Sequence, residues 1–304
     1  MGVPMAESYT LAQARQALPV YGTESHKYDH GTLVVAGGSR RYSGAPLLVG
    51  LSGLRAGAGV VVVCVPASAE ILASVPMALI VHRLPEASGS APGTFSHASL
   101  EGWRREIRRA RALVLGPGMD SLPTVDSFLG EALAAPLPKV LDADGLNRLS
   151  ATPSLLPPPS LCRQMVLTPH EGEALRLERA FDLASQGSRE ERAMALARRT
   201  GCVVLWKGAG TLVADPGTNS LTRNSTGNPR LATAGSGDVL AGVIGALLAQ
   251  GLPPAEAARL GAFLHGLAAD QNPPMLADEM PAAISRAMFT LASCTPAGRE
   301  EPRE

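Results

Sequence analysis

The sequence predicts an α/β protein whose central sheet is mostly parallel and covered by helices on both faces. Short apolar runs rich in β-branched residues recur along the chain, and each run ends in glycine, proline or polar residues. Segments with small and apolar residues at helical spacing lie between several of these runs. Strands that are apolar throughout are typical of parallel sheets buried between two layers of helices.

The first strand–helix–strand unit begins after an amino-terminal segment. We expect residues 1–26 to form a polar, irregular surface arm with one short helix near residues 11–18. The apolar run of residues 31–36 predicts a strand, residues 45–58 predict a helix, and residues 60–65 predict a second strand. This order favours two parallel strands joined by a helical crossover.

Four further strands are predicted at residues 112–115, 139–141, 164–167 and 202–206. Each of them runs into polar, glycine-bearing or proline-bearing residues at its carboxyl end. Ligands of open α/β sheets bind just beyond the carboxyl ends of the strands. We therefore expect these loops to converge on one site.

The last quarter of the chain is predicted to hold three long helices, at residues 238–250, 254–271 and 281–293. Residues 295–304 are charged and have no apolar face, so we expect a flexible tail. No repeat and no long linker divides the chain, and residues 27–294 are therefore predicted to form a single domain.

The composition excludes several classes of protein. Of the 304 residues, 45% are hydrophobic and 18% are charged, which excludes a disordered chain. The 27 basic residues balance 27 acidic ones, whereas a nucleic-acid-binding protein usually carries a basic excess. No apolar run is long enough for a membrane span, and the amino terminus lacks a signal-peptide pattern. We expect a cytoplasmic protein with neither a nucleic acid nor a membrane as partner.

The cysteines do not form a metal-binding or redox motif in the sequence. Cys64, Cys162, Cys202 and Cys294 lie far apart, without a CxxC pair. Cys64 and Cys202 lie within apolar runs, which is typical of a buried small hydrophobic side chain. We therefore expect structural thiols.

The strongest local signal is TAGSGD at residues 233–238, directly before an apolar helix. Small residues at a helix start allow the N–H groups of Gly235, Ser236 and Gly237 to point at one anion, and the helix dipole adds to the attraction. Asp238 can cap the helix or act as a base. A plain glycine turn with an aspartate N-cap is the alternative, but the position of this motif after a predicted sheet favours an anion site.

A second glycine-rich motif, WKGAGT, follows the strand at residues 202–206. Its glycines allow close approach of a flat or phosphorylated ligand, and Lys207, one of three lysines in the chain, offers a cation. Order and spacing differ from a P-loop. Taken alone, the motif fits an ordinary hairpin turn equally well.

Other polar strand ends carry weaker signals. A single histidine such as His170 is more often structural than catalytic. Asp142 and Asp144 are expected to point to opposite sides, one towards a cation or phosphate and the other capping the next helix. The NSTGNP segment at residues 224–229 either lines the pocket or closes a turn.

Six motifs taken in order resemble the NAD(P)H-hydrate dehydratase family, over residues 25–270. These motifs are HKYDHGTLVVAGGSRRYSGAPLL, LVLGPGMD, VLDADGLN, LTPHEGE, LWKGAGTLVADP and NSTGNPRLATAGSGDVLAGVIGALLAQG. The resemblance implies a ribokinase-like three-layer α/β/α sandwich with a mostly parallel central sheet, which agrees with the pattern of strands and helices.

The resemblance also implies roles for individual residues. Substrate would contact Ala45, Gly118, His170 and Asp238. The adenine nucleotide would contact Lys207, Gly208, Ala209, Gly210, Thr211 and Gly237. Asp238 would act as the base, the amides of Gly235, Ser236 and Gly237 would stabilise phosphoryl oxygens, and no protein side chain is expected to ligate a metal.

The reaction implied by the resemblance is ADP-dependent dehydration of the S epimer of hydrated NADH or NADPH. The carbinol is phosphorylated, phosphate is eliminated, and AMP is released, with Mg²⁺ bridging the nucleotide phosphates. The resemblance also implies a homo-oligomer, as a homotetramer. Only about 26 residues precede the first strand and no epimerase domain is predicted, so we expect a separate NAD(P)H-hydrate epimerase to act in the same pathway.

Two other functions stay open at this point. A ribokinase-like kinase could use ATP to phosphorylate another alcohol, and it would share the GSGD motif. A catalytically silent nucleotide sensor is the second alternative, but it would not need Asp238.

Two positions depart from the pattern of the family. Ala234 stands where the family usually has glycine, and its methyl group requires a negative φ. Arg230 stands where a small residue is usual, and it either adds a phosphate contact or reaches solvent.

Overall fold

A computed structural model describes residues 2–70 and 75–293. In chain order its strands are β1 (Glu7–Tyr9), β2 (Thr32–Ala36), β3 (Val60–Pro66), β4 (Ile80–Leu84), β5 (Ala112–Leu115), β6 (Lys139–Leu141), β7 (Met165–Leu167), β8 (Val203–Trp206), β9 (Leu212–Asp215) and β10 (Ser220–Asn224). Its helices are α1 (Leu11–Ala17), α2 (Ala45–Arg55), α3 (Leu100–Glu106), α4 (Asp126–Ala134), α5 (Asp144–Ala151), α6 (Pro159–Cys162), α7 (Glu171–Ala180), α8 (Arg189–Thr200), α9 (Ser236–Ala249), α10 (Pro254–Asp270) and α11 (Met280–Ser293).

All ten strands form one sheet in the order β1-β10-β9-β8-β7-β6-β5-β2-β3-β4. Neighbours from β8 through β4 in this order are parallel, and β1 is parallel to β10. Only β9 runs antiparallel to both of its neighbours, β8 and β10. The predicted α/β class with a mostly parallel sheet is confirmed.

The sheet separates two hydrophobic cores. Along β2, Leu33 and Val35 belong to the core under α2, α9, α10 and α11, whereas Val34 belongs to the core under α4, α7 and α8. This alternation follows from the two-residue period of a strand, and it buries all five residues of β2. The result is a three-layer α/β/α sandwich.

Helices α2 and α9 pack backbone to backbone at the centre of one layer. A Cβ at Gly242 would lie 2.2 Å from the Val49 carbonyl oxygen, so only glycine allows this approach. A Cβ at Gly235, the residue before α9, would lie 2.9 Å from Leu48 Cδ2 in the first turn of α2, so the amino termini of the two helices lie together. This packing places the GSGD motif beside the start of α2.

Most predicted elements are confirmed, namely β2, β3 and β5–β8 together with α2, α9, α10 and α11. The predicted helix in the first 26 residues is α1. That segment is not irregular throughout, however, because β1 joins the sheet and Tyr9 is buried. Three short strands, β1, β4 and β10, have no clear apolar pattern and were not predicted.

Cys64, Cys162 and Cys202 are buried and free, as predicted. Cys294 and the predicted tail at residues 295–304 lie outside the described residues. Over residues 2–70 and 75–293, none of the helices combines the length and apolar character that crossing a bilayer requires.

Candidate active site

The loops at the carboxyl ends of the parallel strands pack against one another, as predicted. The Gly38 amide donates to the Pro117 carbonyl at 2.8 Å, which joins the loops after β2 and β5. Gly116 has a φ of +113°, and a Cβ there would lie 2.1 Å from the Asp142 carbonyl oxygen. The Lys207 amide donates to the Pro169 carbonyl at 2.8 Å, which joins the loops after β7 and β8.

The amino terminus of the 14-residue helix α9 meets this row of loops. Its N-cap is Gly235, with a φ of +86° and no side-chain capping hydrogen bond, so Asp238 is not the cap that the alternative interpretation required. The Ser236 amide donates to the Thr233 carbonyl at 3.3 Å. The amides of Gly235 and Gly237 donate no hydrogen bond to any group of the described residues. These amides and the positive end of the helix dipole are suited to an anion.

Three motifs meet around the ammonium group of Lys207. Its Nζ lies 2.7 Å from Asp142 Oδ1 and 3.7 Å from Glu173 Oε2, and both carboxylates are buried. A Cβ at Gly237 would lie 3.5 Å from Lys207 Nζ and 3.9 Å from Asp142 Oδ2. The ion pair therefore lies directly beside the first turn of α9, where Asp238 is located.

The electrostatic environment leaves Asp238 suited to acid–base chemistry. Burial and the nearby Asp142 carboxylate raise the pKa of Asp238 to about 7, while Lys207 acts in the opposite direction. Burial likewise raises the pKa of Glu173, with Lys207 opposing it. A carboxylate with a pKa near neutrality can accept a proton and release it again at physiological pH.

His170 has a structural role in this site. It is the N-cap of α7, where its Nδ1 accepts hydrogen bonds from the amides of Gly172 at 3.0 Å and Glu173 at 3.4 Å. Partial burial and the charge of Lys207 lower the pKa of His170, so the ring is neutral at neutral pH. Its Nε2 lies 3.4 Å from Glu173 Oε1, and a contact of His170 with the substrate stays a prediction.

The loop of residues 207–211 is a hairpin connection, because β8 and β9 are antiparallel neighbours with Trp206 opposite Leu212. Gly208 and Gly210 have φ values of +145° and +59°, and Thr211 Oγ1 donates to the Gly208 carbonyl at 3.0 Å. The hairpin interpretation is thus correct, and the hairpin also lies at the carboxyl edge of the sheet.

The two remaining predicted substrate residues, Ala45 and Gly118, lie against each other at the start of α2. Gly118 has a φ of +65°, and a Cβ there would lie 2.6 Å from the Tyr42 carbonyl oxygen and 3.2 Å from the Ala45 Cβ. Leu48, on the first turn of α2, packs against Gly235, where a Cβ would lie 2.9 Å from Leu48 Cδ2. The predicted site residues therefore all lie on neighbouring loops and helix starts at the carboxyl edge of the sheet.

The departures from the family pattern are accommodated. Ala234 is not among the described non-glycine residues with a positive φ, so its φ is negative, as its methyl group requires. The exposed Arg230 donates to the Asn272 carbonyl at 3.3 Å, on the surface.

The structure bears on two open alternatives. Asp142 faces the Lys207 cation, as one alternative held, but Asp144 does not cap α5; it accepts the Asp120 amide at 3.0 Å instead. Asn224 donates to the Thr226 carbonyl at 3.0 Å, a local contact of a turn, and lining of the pocket by residues 224–229 stays a prediction.

Two features of the site were not found in the sequence. His265 on α10 is buried, and its Nε2 lies 3.0 Å from the Ser236 carbonyl oxygen and 3.2 Å from Ser236 Oγ. Its only signal is a polar residue within the apolar run AFLHGLA. Ala143 has a φ of +50°, a strained conformation for alanine, between the two aspartates.

The described residues contain no group of three or more His, Cys, Asp or Glu side chains arranged to hold a metal ion. A surface cavity of about 560 Å³ beside β1 and one of about 650 Å³ beside β4 lie at the two ends of the sheet, and neither is lined by a predicted site residue.

A mostly parallel sheet between two helical layers, with a glycine-rich helix terminus at its carboxyl edge, gives the chain a ribokinase-like fold. The model of the NAD(P)H-hydrate dehydratase family matches residues 33–284. The chain belongs to this family.

Individual relatives agree with this assignment. The chain is 38% identical over 247 residues to the ADP-dependent (S)-NAD(P)H-hydrate dehydratase of Neisseria meningitidis, covering 81% of this chain and 79% of that protein. It is 38% identical over 264 residues to the bifunctional NAD(P)H-hydrate repair enzyme Nnr of Moorella thermoacetica. That match covers 86% of this chain and 49% of the relative, so the chain spans about half the length of the bifunctional relative.

A solved structure extends the comparison to the fold. The ADP/ATP-dependent NAD(P)H-hydrate dehydratase of Bacillus subtilis, co-crystallised with ATP and Mg²⁺, is 27% identical, with a TM-score of 0.71 over 94% of this chain and 99% of the other.

Proposed function

We propose that the protein catalyses ADP-dependent dehydration of the S epimer of hydrated NADH or NADPH, with release of AMP and phosphate. The observation that carries this proposal is the position of Asp238. Its carboxylate, with a pKa raised to about 7, lies in the first turn of α9 beside the Lys207 ammonium. A base and a cluster of anion-binding groups are what phosphoryl transfer to a hydroxyl requires.

In the first step Asp238 takes the proton from the carbinol hydroxyl on C6 of the hydrated nicotinamide. The oxygen attacks the terminal phosphorus of ADP, and the bond to the bridging oxygen breaks, so AMP leaves. The amides of Gly235 and Gly237 and the ammonium of Lys207 stabilise negative charge on the phosphoryl oxygens. The Ser236 amide contributes less, because it already donates to Thr233.

In the second step the ring nitrogen of the substrate supplies the electron pair that expels phosphate from C6. Loss of a proton from C5 then restores the ring double bond, so the sum of both steps is removal of one water at the expense of one phosphoanhydride bond. Elimination of this kind needs no strong protein base, and His170, whose Nδ1 is engaged as a helix cap, orients the substrate.

The residues fit an Mg²⁺ ion only when it arrives with the nucleotide. The buried carboxylates of Asp142 and Glu173 are paired with the Lys207 ammonium, so the nucleotide phosphates and water would supply the oxygen ligands of the ion. Bound there, the ion would neutralise phosphate charge.

The remaining assignments are those that the resemblance to the family implies. The adenine nucleotide would lie against residues 207–211 and Gly237, and the hydrated cofactor against Ala45, Gly118, His170 and Asp238. A homotetramer, a cytoplasmic location and cooperation with an NAD(P)H-hydrate epimerase stay predictions.

The test is the absorbance of reduced nicotinamide after the protein is mixed with NADHX, Mg²⁺ and either ADP or ATP. We expect a rise with ADP that is lost in Asp238→Asn. A rise with ATP alone would keep the reaction and change the donor. No rise with either nucleotide would overturn the proposal.

A kinase acting on another alcohol is the second candidate, because it would use the same α9 terminus and the same base. The products distinguish the two functions. The dehydratase releases inorganic phosphate in amounts equal to the NADH formed, whereas a kinase leaves a stable phosphorylated alcohol.

A further inference from the structure

A half-buried arginine on α8, Arg189, contacts the start and the tip of the glycine-rich hairpin loop. Its Nη2 donates to the Trp206 carbonyl at 3.2 Å, and its Nη1 donates to the Ala209 carbonyl at 2.8 Å. The guanidinium lies against Gly208, where a Cβ would be 3.2 Å from Nη2. One planar group therefore spans the turn from the end of β8 to the tip of the loop.

The charge of Arg189 is not used in an ion pair. Its neighbour Arg192 is paired with Glu178 at 2.8 Å, and Arg223 is paired with Glu190. Within the described residues no carboxylate lies within 4.0 Å of the Arg189 guanidinium, which donates instead to the carbonyl oxygens of Trp206 and Ala209. Carbonyl oxygens placed at fixed separation suit the fork of a guanidinium and not a point-like ammonium.

The loop needs such a fastening because its glycines are intrinsically mobile. Gly208 and Gly210 adopt positive φ values, and the hydrogen bond from Thr211 to Gly208 secures only the second half of the turn. A loop that must order when a ligand arrives loses affinity, whereas a loop held in its bound shape does not.

We propose that Arg189 is a positioning residue for the nucleotide: it fixes the loop of residues 207–211 so that its backbone amides are ordered before ADP binds. This inference rests on the proposed function for the identity of the ligand. Arg189 acts through the loop and not as a charge on the phosphates.

The test uses Arg189→Ala and Arg189→Lys in the full chain, with Arg199→Ala as the matched control. Arg199 lies on the same helix, and its Nε also donates to a backbone carbonyl, that of Phe181 at 3.1 Å, which is not part of the loop. Three quantities are measured: amide hydrogen exchange of residues 208–210 without ligand, calorimetric binding of ADP, and steady-state kinetics.

Both Arg189 variants should exchange these amides faster than the wild type and bind ADP roughly tenfold more weakly, the effect of losing about one hydrogen bond to a charged group. KM for ADP should rise by the same factor, with kcat and KM for the hydrated cofactor nearly unchanged. Arg199→Ala should leave all these quantities at wild-type values.

Two results would overturn the inference. Unchanged exchange in Arg189→Ala would mean that the loop is ordered without the guanidinium. Retained ADP affinity in Arg189→Lys beside loss in Arg189→Ala would mean that Arg189 acts as a charge. Failure of the wild type to bind ADP would instead contradict the proposed function, and the exchange measurement would still decide whether Arg189 orders the loop.

Discussion

Lys207 Nζ lies 2.7 Å from Asp142 Oδ1, although 65 positions separate the two residues in the chain. The contact joins the loop after β6 to the loop after β8, across the intervening strand β7. Burial lowers the pKa of Lys207, but the carboxylates of Asp142 and Glu173 outweigh this effect and the pKa is raised. The ammonium therefore stays charged at neutral pH beside the first turn of α9.

The pKa of Asp238 determines the expected pH dependence of the rate. A general base works only when it is deprotonated, so kcat/KM for the hydrated cofactor at saturating ADP should rise as the pH passes about 7. Asp142→Asn removes a negative charge that raises this pKa, and it leaves Lys207 free to lower it. The rising limb should therefore move to lower pH in this variant, while the maximal rate falls. An unchanged midpoint in pH–rate profiles of the two proteins would contradict the assignment of the base.

The same carboxylate should reduce the stability of the folded protein above neutral pH. The pKa of Asp238 is about 7 in the folded state and near 3.8 when exposed, so the folded state loses stability as the pH rises between these two values, where the unfolded chain has released the proton that the folded chain retains. Asp238→Asn removes this cost. We expect the variant to melt a few degrees above the wild type at pH 8, with a smaller difference at pH 5, because the difference vanishes only below the pKa of the exposed carboxyl.

Asp182→Asn is the control for this comparison, because Asp182 is exposed and follows the carboxyl end of α7, whose amino terminus is the end that lies at the site. The difference in Tm between this variant and the wild type should be the same at both pH values. A Tm gain in Asp238→Asn that is equal at pH 5 and pH 8 would have another origin than ionisation.

His265 should matter for turnover although it cannot touch the substrate. Burial lowers its pKa to about 4, so the ring is neutral, and its Nε2 contacts the Ser236 carbonyl in the first turn of α9. His265→Leu removes this contact and should lower kcat by roughly tenfold to a hundredfold, because misplaced anion-binding groups lose transition-state stabilisation. His265→Gln retains an N–H donor and should recover part of the loss.

The control for His265 is Leu264→Ala on the same helix. Leu264 is fully buried, and its truncation should cost about 2–5 kcal/mol of stability through the cavity that it leaves. Its kcat should nevertheless stay near the wild-type value below the melting range. If both variants lost activity in proportion to stability, the role of His265 would be structural only.

The sequence predicted the parts of the fold whose signal is local. β2, β3 and β5–β8 are apolar runs bounded by glycine or polar residues, and α9 is apolar all round because it is buried in the middle of its layer. β1 and β10 were not predicted, because their sequences, ESY and SLTRN, have no apolar period. They are strands because β1 pairs with β10 and β10 pairs with β9.

The site was predictable as a set of motifs but not as a set of contacts. Glycine and polar residues at a strand end indicate each loop motif, and the sheet topology brings those strand ends together. The pairing of Lys207 with Asp142 and the contact from His265 to Ser236 join distant positions. Nothing in the spacing of these residues specifies which partners meet.

The amino-terminal segment should stabilise the domain, because Tyr9 fastens it to α10 and β10. Its hydroxyl donates to Glu256, its ring packs edge-on against Phe263 with centroids 5.9 Å apart, and its carbonyl accepts Ser225 Oγ at 2.6 Å. Tyr9→Ala should lower the free energy of unfolding by about 3–5 kcal/mol, as expected for truncation of a buried aromatic ring.

Urea denaturation of three variants separates the contributions. Tyr9→Phe keeps the ring and loses the hydrogen bond to a charged partner, so a loss of about 1.5–3 kcal/mol is expected. Leu11→Ala on the neighbouring helix α1 is the control, since Leu11 is 46% exposed and its truncation should change stability by no more than about 0.5 kcal/mol. If Tyr9→Ala unfolded at the same urea concentration as Leu11→Ala, the contacts of Tyr9 would not stabilise the domain, and this prediction would be wrong.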